Sequence, residues 1–159
     1  MDRDVPLHII HLDQDDPKKC TARKLASRDL ATLHFDTRRP PRRGYLLDPS
    51  SGTILGPDDL PLIEKGAALV ALDCSWKQLD VSLERIRNSS PRLECRTLPL
   101  VLAANPISWG KPGRLSTVEA LAVCLVLLDK DDQARRILKP FSWGEQFFVL
   151  NAEPLLAYK

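Results

Sequence analysis

Asp73, Cys74, Ser75 and Trp76 follow the fully apolar run AALVALD of residues 67–73. A short run of that kind reads as a strand buried on both faces, and such strands belong to parallel sheets. In open sheets of parallel strands, ligands bind outside the carboxyl ends. Asp73 and Trp76 are thereby placed where a ligand would meet a carboxylate and an aromatic face. The plainer readings are a strand-end aspartate and a core aromatic. A second candidate is residues 98–119, LPLVLAANPISWGKPGRLSTVE, in which Pro106, Gly110, Pro112 and Gly113 interrupt the chain. A loop of that composition has few conformations to lose and lets a ligand approach its backbone, which suits a small-molecule pocket. Its plainer reading is a connector. It closes on Ser116, Thr117 and Glu119, a serine with a glutamate three residues later, which is a capping box that predicts a helix starting at Thr117. A third candidate is the loop of residues 13–21. Unpaired backbone N–H groups at the following helix start can hold a carboxylate or phosphate, with Lys18, Lys19 and Thr21 adding to them. A plain helix cap at Thr21 is the alternative.

The elements that must position these residues alternate. VPLHIIHLD, residues 5–13, predicts a first buried strand, and the helix after it presents Ala22, Leu25, Ala26, Leu30 and Leu33 on one face, which puts His34 near a helix end. An Arg/Pro stretch leads to a short strand at residues 45–47, then a short helix over 59–66 ended by Gly66. After the strand at 67–73, Ser75 and Gln78 form another capping box, predicting a helix from Ser75 to Asn88. RLECRTLPLVL, residues 92–102, supplies strand-forming residues. Beyond Ser116 the pattern is helical throughout, with a third capping box at Ser142 and Glu145 and a last segment EPLLAYK. The expected fold class is α/β: a parallel α/β lobe over residues 1–97 that carries the basic segment, followed by an all-helical lobe over 98–159.

Composition excludes several classes. Of 159 residues, 43% are hydrophobic and 28% charged, which describes a globular protein and not a disordered one. The longest apolar run, residues 120–128, is about half the roughly 20 residues a membrane span requires. The start of the chain lacks the basic-then-apolar form of a signal peptide, so a cytoplasmic location is expected and no membrane partner. Cys20, Cys74, Cys95 and Cys124 form no closely spaced pair, which speaks against a metal site, and His8, His11 and His34 have no glutamate at ligand spacing. Net charge is only +2, yet residues 17–43 hold Lys18, Lys19, Arg23, Lys24, Arg28, Arg38, Arg39, Arg42 and Arg43 against Asp29 and Asp36. Such a local excess is a footprint for a polyanion, or else a solvated basic face.

LPLVLAANPISWGKP followed by LSTVEALA resembles the signature of the aminocarboxypropyltransferases that act on small-subunit (16S/18S) ribosomal RNA. DPKKCTARKLA (residues 16–26), LDCSW (72–76) and FSWGEQFFVLNAEPLLAY (141–158) resemble the same family, in the same order, over nearly the whole chain. The resemblance implies a SPOUT-like fold with a deep trefoil knot. It implies S-adenosyl-L-methionine as cofactor and transfer of its 3-amino-3-carboxypropyl group, not its methyl, to N3 of a uridine-derived base, with methylthioadenosine released. All three sulfonium substituents are activated by one positive charge, so geometry decides which one reacts.

On that resemblance Trp76 covers the methyl and sulfonium, and Asp73 sits near the cofactor's cationic part. Thr21 lies close to the cofactor; Leu98, Leu100 and Leu102 wall the adenine. Trp109, where the family often has tyrosine, closes the pocket, and Ser116 and Thr117 hold the carboxylate of the transferred group. Lys111 and Arg114 meet RNA phosphate beside Lys18, Lys19, Arg23, Lys24, Arg39, Arg42 and Arg43. No general base is assigned. The competing expectations are a SPOUT-type methyltransferase and a non-catalytic, rRNA-binding ribosome-assembly factor. The partner is small-subunit rRNA or the pre-ribosomal small subunit, and a monomer is expected because the helical lobe supplies the wall a second subunit would otherwise provide.

Overall fold

The computed structural model describes residues 4–12, 21–35, 37, 41–73, 79–99, 101–102, 104 and 116–158, with backbone alone at 21, 22, 73, 79 and 158. Five strands form one sheet: β1 (Leu7–His11), β2 (Thr32–His34), β3 (Gly44–Leu47), β4 (Ala68–Asp73) and β5 (Leu93–Arg96). Their order is β2-β1-β4-β3-β5, and every pairing is parallel. The helices are α1 (Thr21–Ser27), α2 (Leu60–Glu64), α3 (Leu79–Ser89), α4 (Thr117–Leu127), α5 (Asp131–Leu138) and α6 (Gly144–Tyr158), with a 3-10 turn at Pro57–Asp59 leading into α2.

Alternation along the strands divides the interior in two. Leu7, Ile9, Tyr45, Leu69 and Ala71 face the larger core with Leu25 of α1, Ile63 of α2 and most of α4. Ile10, Leu46 and Val70 face the other way and pack against Leu83 and Ile86 of α3. The larger core crosses the boundary at residue 97, joining Val5 and Leu69 to Leu121, Phe147 and Leu155 in one cluster. Gln133 of α5 adds a polar tie across the same boundary, donating from Nε2 to the Val5 carbonyl (2.9 Å) and accepting the Val5 amide (2.8 Å). Helix α4 is buried on nearly every side, with Val118, Glu119 and Leu121 to Leu127 all buried, which matches a sequence that shows no polar face.

Several elements differ from the sequence expectation. The first helix does not run through Leu33: it ends at Ser27, and Asp29 takes a left-handed conformation (φ 57). The Leu30 amide bonds the Leu25 carbonyl and the Asp29 amide that of Ala26, the paired bonds of a Schellman turn. The chain then enters β2, so His34 lies on a strand and not near a helix end. Asp129 (φ 63) closes α4 the same way, and Gly66 (φ 101) closes α2 as expected. Leu98 and Pro99 do not continue strand β5. β5 stops at Arg96; past it Thr97 makes an isolated bridge to Ile54, Leu102 is again a bridge residue, and Pro99 between them brings no N–H to a ladder. Helix α6 opens at Gly144, two residues past Ser142, and runs unbroken through Pro154.

Candidate active site at the carboxyl edge of the sheet

The strand order creates a crevice. From β1 the chain moves outward to β2 through α1, which packs on the larger core; from β4 it moves in the opposite direction to β5 through α3, on the other face. Right-handed crossovers leaving two adjacent strands in opposite directions put their helices on opposite faces. The carboxyl ends of β1 and β4 are therefore the topological switch point, where open α/β sheets bind ligands. His11 and Asp73 end these strands in direct register. Asp73 is thus placed at the crevice by its backbone, beside buried His11. Thr21 opens α1, which starts from the loop that leaves β1 at this edge.

The proline- and glycine-rich segment is held at both ends by one side chain. Glu119, fully buried, accepts the Ala104 amide on Oε2 (2.6 Å) and, on Oε1, the amide and hydroxyl of Ser116 (both 2.9 Å). The Ser116 hydroxyl in turn accepts the Glu119 amide (3.4 Å), completing the capping box expected from sequence. Ala104 and Ser116, the described residues on either side of 105–115, are thereby tied to one carboxylate at the start of α4. Just before Ala104, fully buried Asn151 of α6 accepts the Leu102 amide (2.7 Å) and donates to the Leu102 carbonyl (2.8 Å) and to Phe147 (3.0 Å). One amide side chain thereby satisfies both backbone groups of Leu102.

Of the residues singled out from sequence, Leu98 is half-buried against the larger core and Leu102 is held by Asn151. Ser116 and Thr117 begin α4; the Ser116 hydroxyl is committed to Glu119, whose carboxylate already occupies that helix start. Cys20, Cys74, Lys18, Lys19, Arg38, Arg39, Ser75, Trp76, Leu100, Trp109, Lys111 and Arg114 lie outside the described residues, as does the loop of residues 13–20. The basic segment divides. Arg23 is half-buried in the first turn of α1. Lys24 is exposed with its ammonium 5.0 Å from the centre of the Phe141 ring. Exposed Arg42 and Arg43 precede Gly44, at the amino end of β3 and hence at the opposite edge of the sheet.

Other side chains make contacts that no sequence motif signals. Phe35 follows β2, and its ring meets His11 edge-on at 6.4 Å and carries the Arg23 guanidinium at 5.7 Å. Beyond β3, buried Asp48 binds Arg87 (3.3 Å) and is capped by the amide and hydroxyl of Ser50. Arg96 bonds Asp59 and lies 4.9 Å from the Tyr45 ring centre. Burial, with the nearby Asp59 and Glu94 charges, pushes the Tyr45 hydroxyl up to about 12, so it stays protonated and donates to the Asp59 carbonyl. Burial also raises the thiols of Cys95 and Cys124, which makes them poor metal ligands and poor nucleophiles. Among the described residues no group of three His, Cys, Asp or Glu side chains is placed to hold a metal.

Comparison with known proteins bears on this edge. Residues 45–159 match the family described as "Ribosome biogenesis protein, C-terminal". A Methanosarcina acetivorans protein named 16S rRNA aminocarboxypropyltransferase is 43% identical over 98% of this chain and 86% of its own length. The chain belongs to this aminocarboxypropyltransferase family. A Halobacterium salinarum member is also 43% identical, over 96% of this chain and 86% of its own. The solved structure of the SAM-dependent rRNA:acp-transferase Tsr3 from Vulcanisaeta distributa superimposes with a TM-score of 0.87, at 38% identity, over 97% of this chain and 82% of that one. The mixed α/β architecture with its five-stranded parallel sheet thus matches that solved structure. Residues 5–35 also match a model described as a possible Fer4-like domain in RNase L inhibitor. That span holds a single cysteine, Cys20, and a four-iron cluster is held by four cysteine thiolates, so the match carries no cluster here.

Proposed function

We propose that this protein transfers the 3-amino-3-carboxypropyl group of S-adenosyl-L-methionine to N3 of a uridine or pseudouridine in small-subunit rRNA. The observation that carries the reading is near-full-length identity of 43% to a protein named for that transfer, together with a switch-point crevice ending in Asp73. In the reaction N3 supplies its electron pair to the arm's terminal carbon and the carbon–sulfur bond breaks. The sulfur keeps the pair of the broken carbon–sulfur bond and leaves in neutral methylthioadenosine, and the N3 proton passes to solvent. The chain's contribution is positioning and charge. Asp73 faces the cationic part of the donor, and Trp76 covers the methyl and sulfonium. Thr21 and the α1 start flank the donor, Leu98, Leu100 and Trp109 wall the adenine, and Thr117, beside the Ser116–Glu119 cap, orients the arm. Lys18, Lys19, Arg23, Lys24 and Arg39, with Lys111 and Arg114, meet rRNA phosphates. Arg42 and Arg43 serve the same RNA from the far edge of the sheet. The fold is SPOUT-like with a deep trefoil knot, and the protein acts as a cytoplasmic monomer on the pre-ribosomal small subunit.

The test is product analysis. Purified protein, small-subunit rRNA and S-adenosylmethionine should yield methylthioadenosine and an acid-bearing uridine derivative. Asp73→Ala and Trp76→Ala should abolish both. Release of S-adenosylhomocysteine instead would make the protein a methyltransferase. RNA binding with no rise in melting temperature at millimolar S-adenosylmethionine would make it an assembly factor without catalysis.

A further inference from the structure

Five large apolar side chains among the described residues are more than half exposed, and Phe35, at 61%, is the aromatic one. A single exposed apolar residue is ordinary; the surroundings of this one are not. The ring stands at the carboxyl edge, one residue past β2, with the Arg23 guanidinium 5.7 Å from its centre and the His11 ring against its edge. Both contacts hold the ring in place without covering it. The register then fixes its distance from the crevice. Ile10 pairs with His34 on one side and with Leu72 on the other, so the next residues outward are Phe35, His11 and Asp73 in a row across three strands. Two strand spacings separate Phe35 from Asp73, about 10 Å. A base presented to the crevice thus has its neighbour in the RNA strand within reach of the Phe35 ring.

We propose that Phe35, steadied by Arg23 and His11, is the stacking platform for an unpaired nucleobase next to the one that is modified. The inference rests on the function proposed above. Sequence-specific recognition of RNA targets single-stranded segments whose bases are splayed out and stacked on aromatic rings and arginine planes, and Phe35 with Arg23 supplies both in one contact. Stacking accepts any base, so this residue sets the strand's path and register, while the crevice selects the base that reacts. It also explains an exposed phenylalanine beside a cationic side chain, where a purely electrostatic footprint would need lysine and arginine alone.

The experiment measures binding of a fluorescein-labelled, uridine-rich single-stranded RNA oligonucleotide by anisotropy, with wild type, Phe35→Ala, Phe35→Leu and Phe35→Trp. The alanine and leucine variants should bind about tenfold or more weakly. Their dependence on salt should match wild type, because no phosphate contact is lost. Phe35→Trp should retain affinity, and its added indole emission should be quenched by the RNA. Melting temperatures of all variants should stay near wild type, since the ring is exposed. Wild-type affinity in both the alanine and leucine variants overturns the proposal, as does a leucine variant that binds as tightly as tryptophan. Methylthioadenosine release by wild type on rRNA, measured separately, tests the reaction itself, so either result can fail without the other.

Discussion

One carboxylate oxygen of Glu119 takes the Ala104 amide at 2.6 Å while the other takes the amide of Ser116, twelve residues further on. A helix cap and a loop clasp are thus one side chain. Removing it leaves buried N–H groups without an acceptor, each costing about 1–3 kcal/mol. Glu119→Ala is expected to destabilise the protein by about 3 kcal/mol, and Glu119→Gln, which keeps one acceptor, by about half that. Urea titration measures both. Because the clasp sets the ends of residues 105–115, Glu119→Gln should also weaken S-adenosylmethionine binding by more than Ile137→Val in α5, a core change of comparable cost. Equal affinity in the two variants would reduce Glu119 to a structural cap.

Asn151 predicts a different response because it both donates and accepts. Its Nδ2 faces the carbonyls of Leu102 and Phe147, and its Oδ1 faces the Leu102 amide. Asn151→Asp keeps the acceptor but turns an anion toward two carbonyl oxygens. It is expected to cost more than Asn151→Ala at neutral pH, where the loss is about 3 kcal/mol, and to recover stability on acidification as the carboxyl gains a proton to donate. An Asp variant whose stability does not improve between pH 7 and pH 4, relative to wild type, contradicts this pairing.

Gly44 is fixed by contact as well as by conformation. A Cβ there would lie 2.1 Å from the Ala68 carbonyl oxygen, across the β3–β4 ladder, and φ is +155. Backbone on both sides has nowhere to go, so Gly44→Ala should cost at least about 3 kcal/mol and fail to accumulate as soluble protein. Gly52 is the control: its φ is +76 but nothing lies within 4 Å. Gly52→Ala should cost about 1 kcal/mol, from backbone strain alone.

These sites also mark where sequence reasoning stopped. The start of α4 was legible because Ser116 and Glu119 signal it within four residues, and β4 because its apolar run ends abruptly at Asp73. The spacing of Leu30 and Leu33 from Ala22, Leu25 and Ala26 suits a continuation of α1. An aspartate in the left-handed conformation and pairing to β1 outweighed that spacing. Placing Asp73 at a strand end needed only local pattern. Recognising that β1 and β4 are neighbours whose helices diverge needed the strand order, which no window of sequence holds. The Asn151–Leu102 and Glu119–Ala104 bonds join residues 49 and 15 apart, beyond any local motif. Phe35 gave no signal apart from its basic neighbours.

Across β1 and β2, His8 Nδ1 lies 2.9 Å from His34 Nε2 with the rings stacked 5.2 Å apart. The hydrogen bond needs one N–H between the two nitrogens, so protonating both rings breaks it and sets two charges together. Burial first, and then the charge on His34, hold His8 below its ordinary value of 6.5. The sign follows from proton uptake. As pH falls through 6.5 the unfolded chain protonates His8 while the folded chain does not, so acid favours unfolding. The contribution of His8 is fully present above that value and is lost progressively down to its folded pKa. Folding free energies from urea titration between pH 8 and pH 5 should therefore fall toward acid, with a slope from this residue of at most about 1.4 kcal/mol per pH unit. His8→Gln, which does not titrate, should flatten that part of the curve. An unchanged slope in the variant, or stability rising toward acid in wild type relative to it, would show that the pair does not couple to folding in this way.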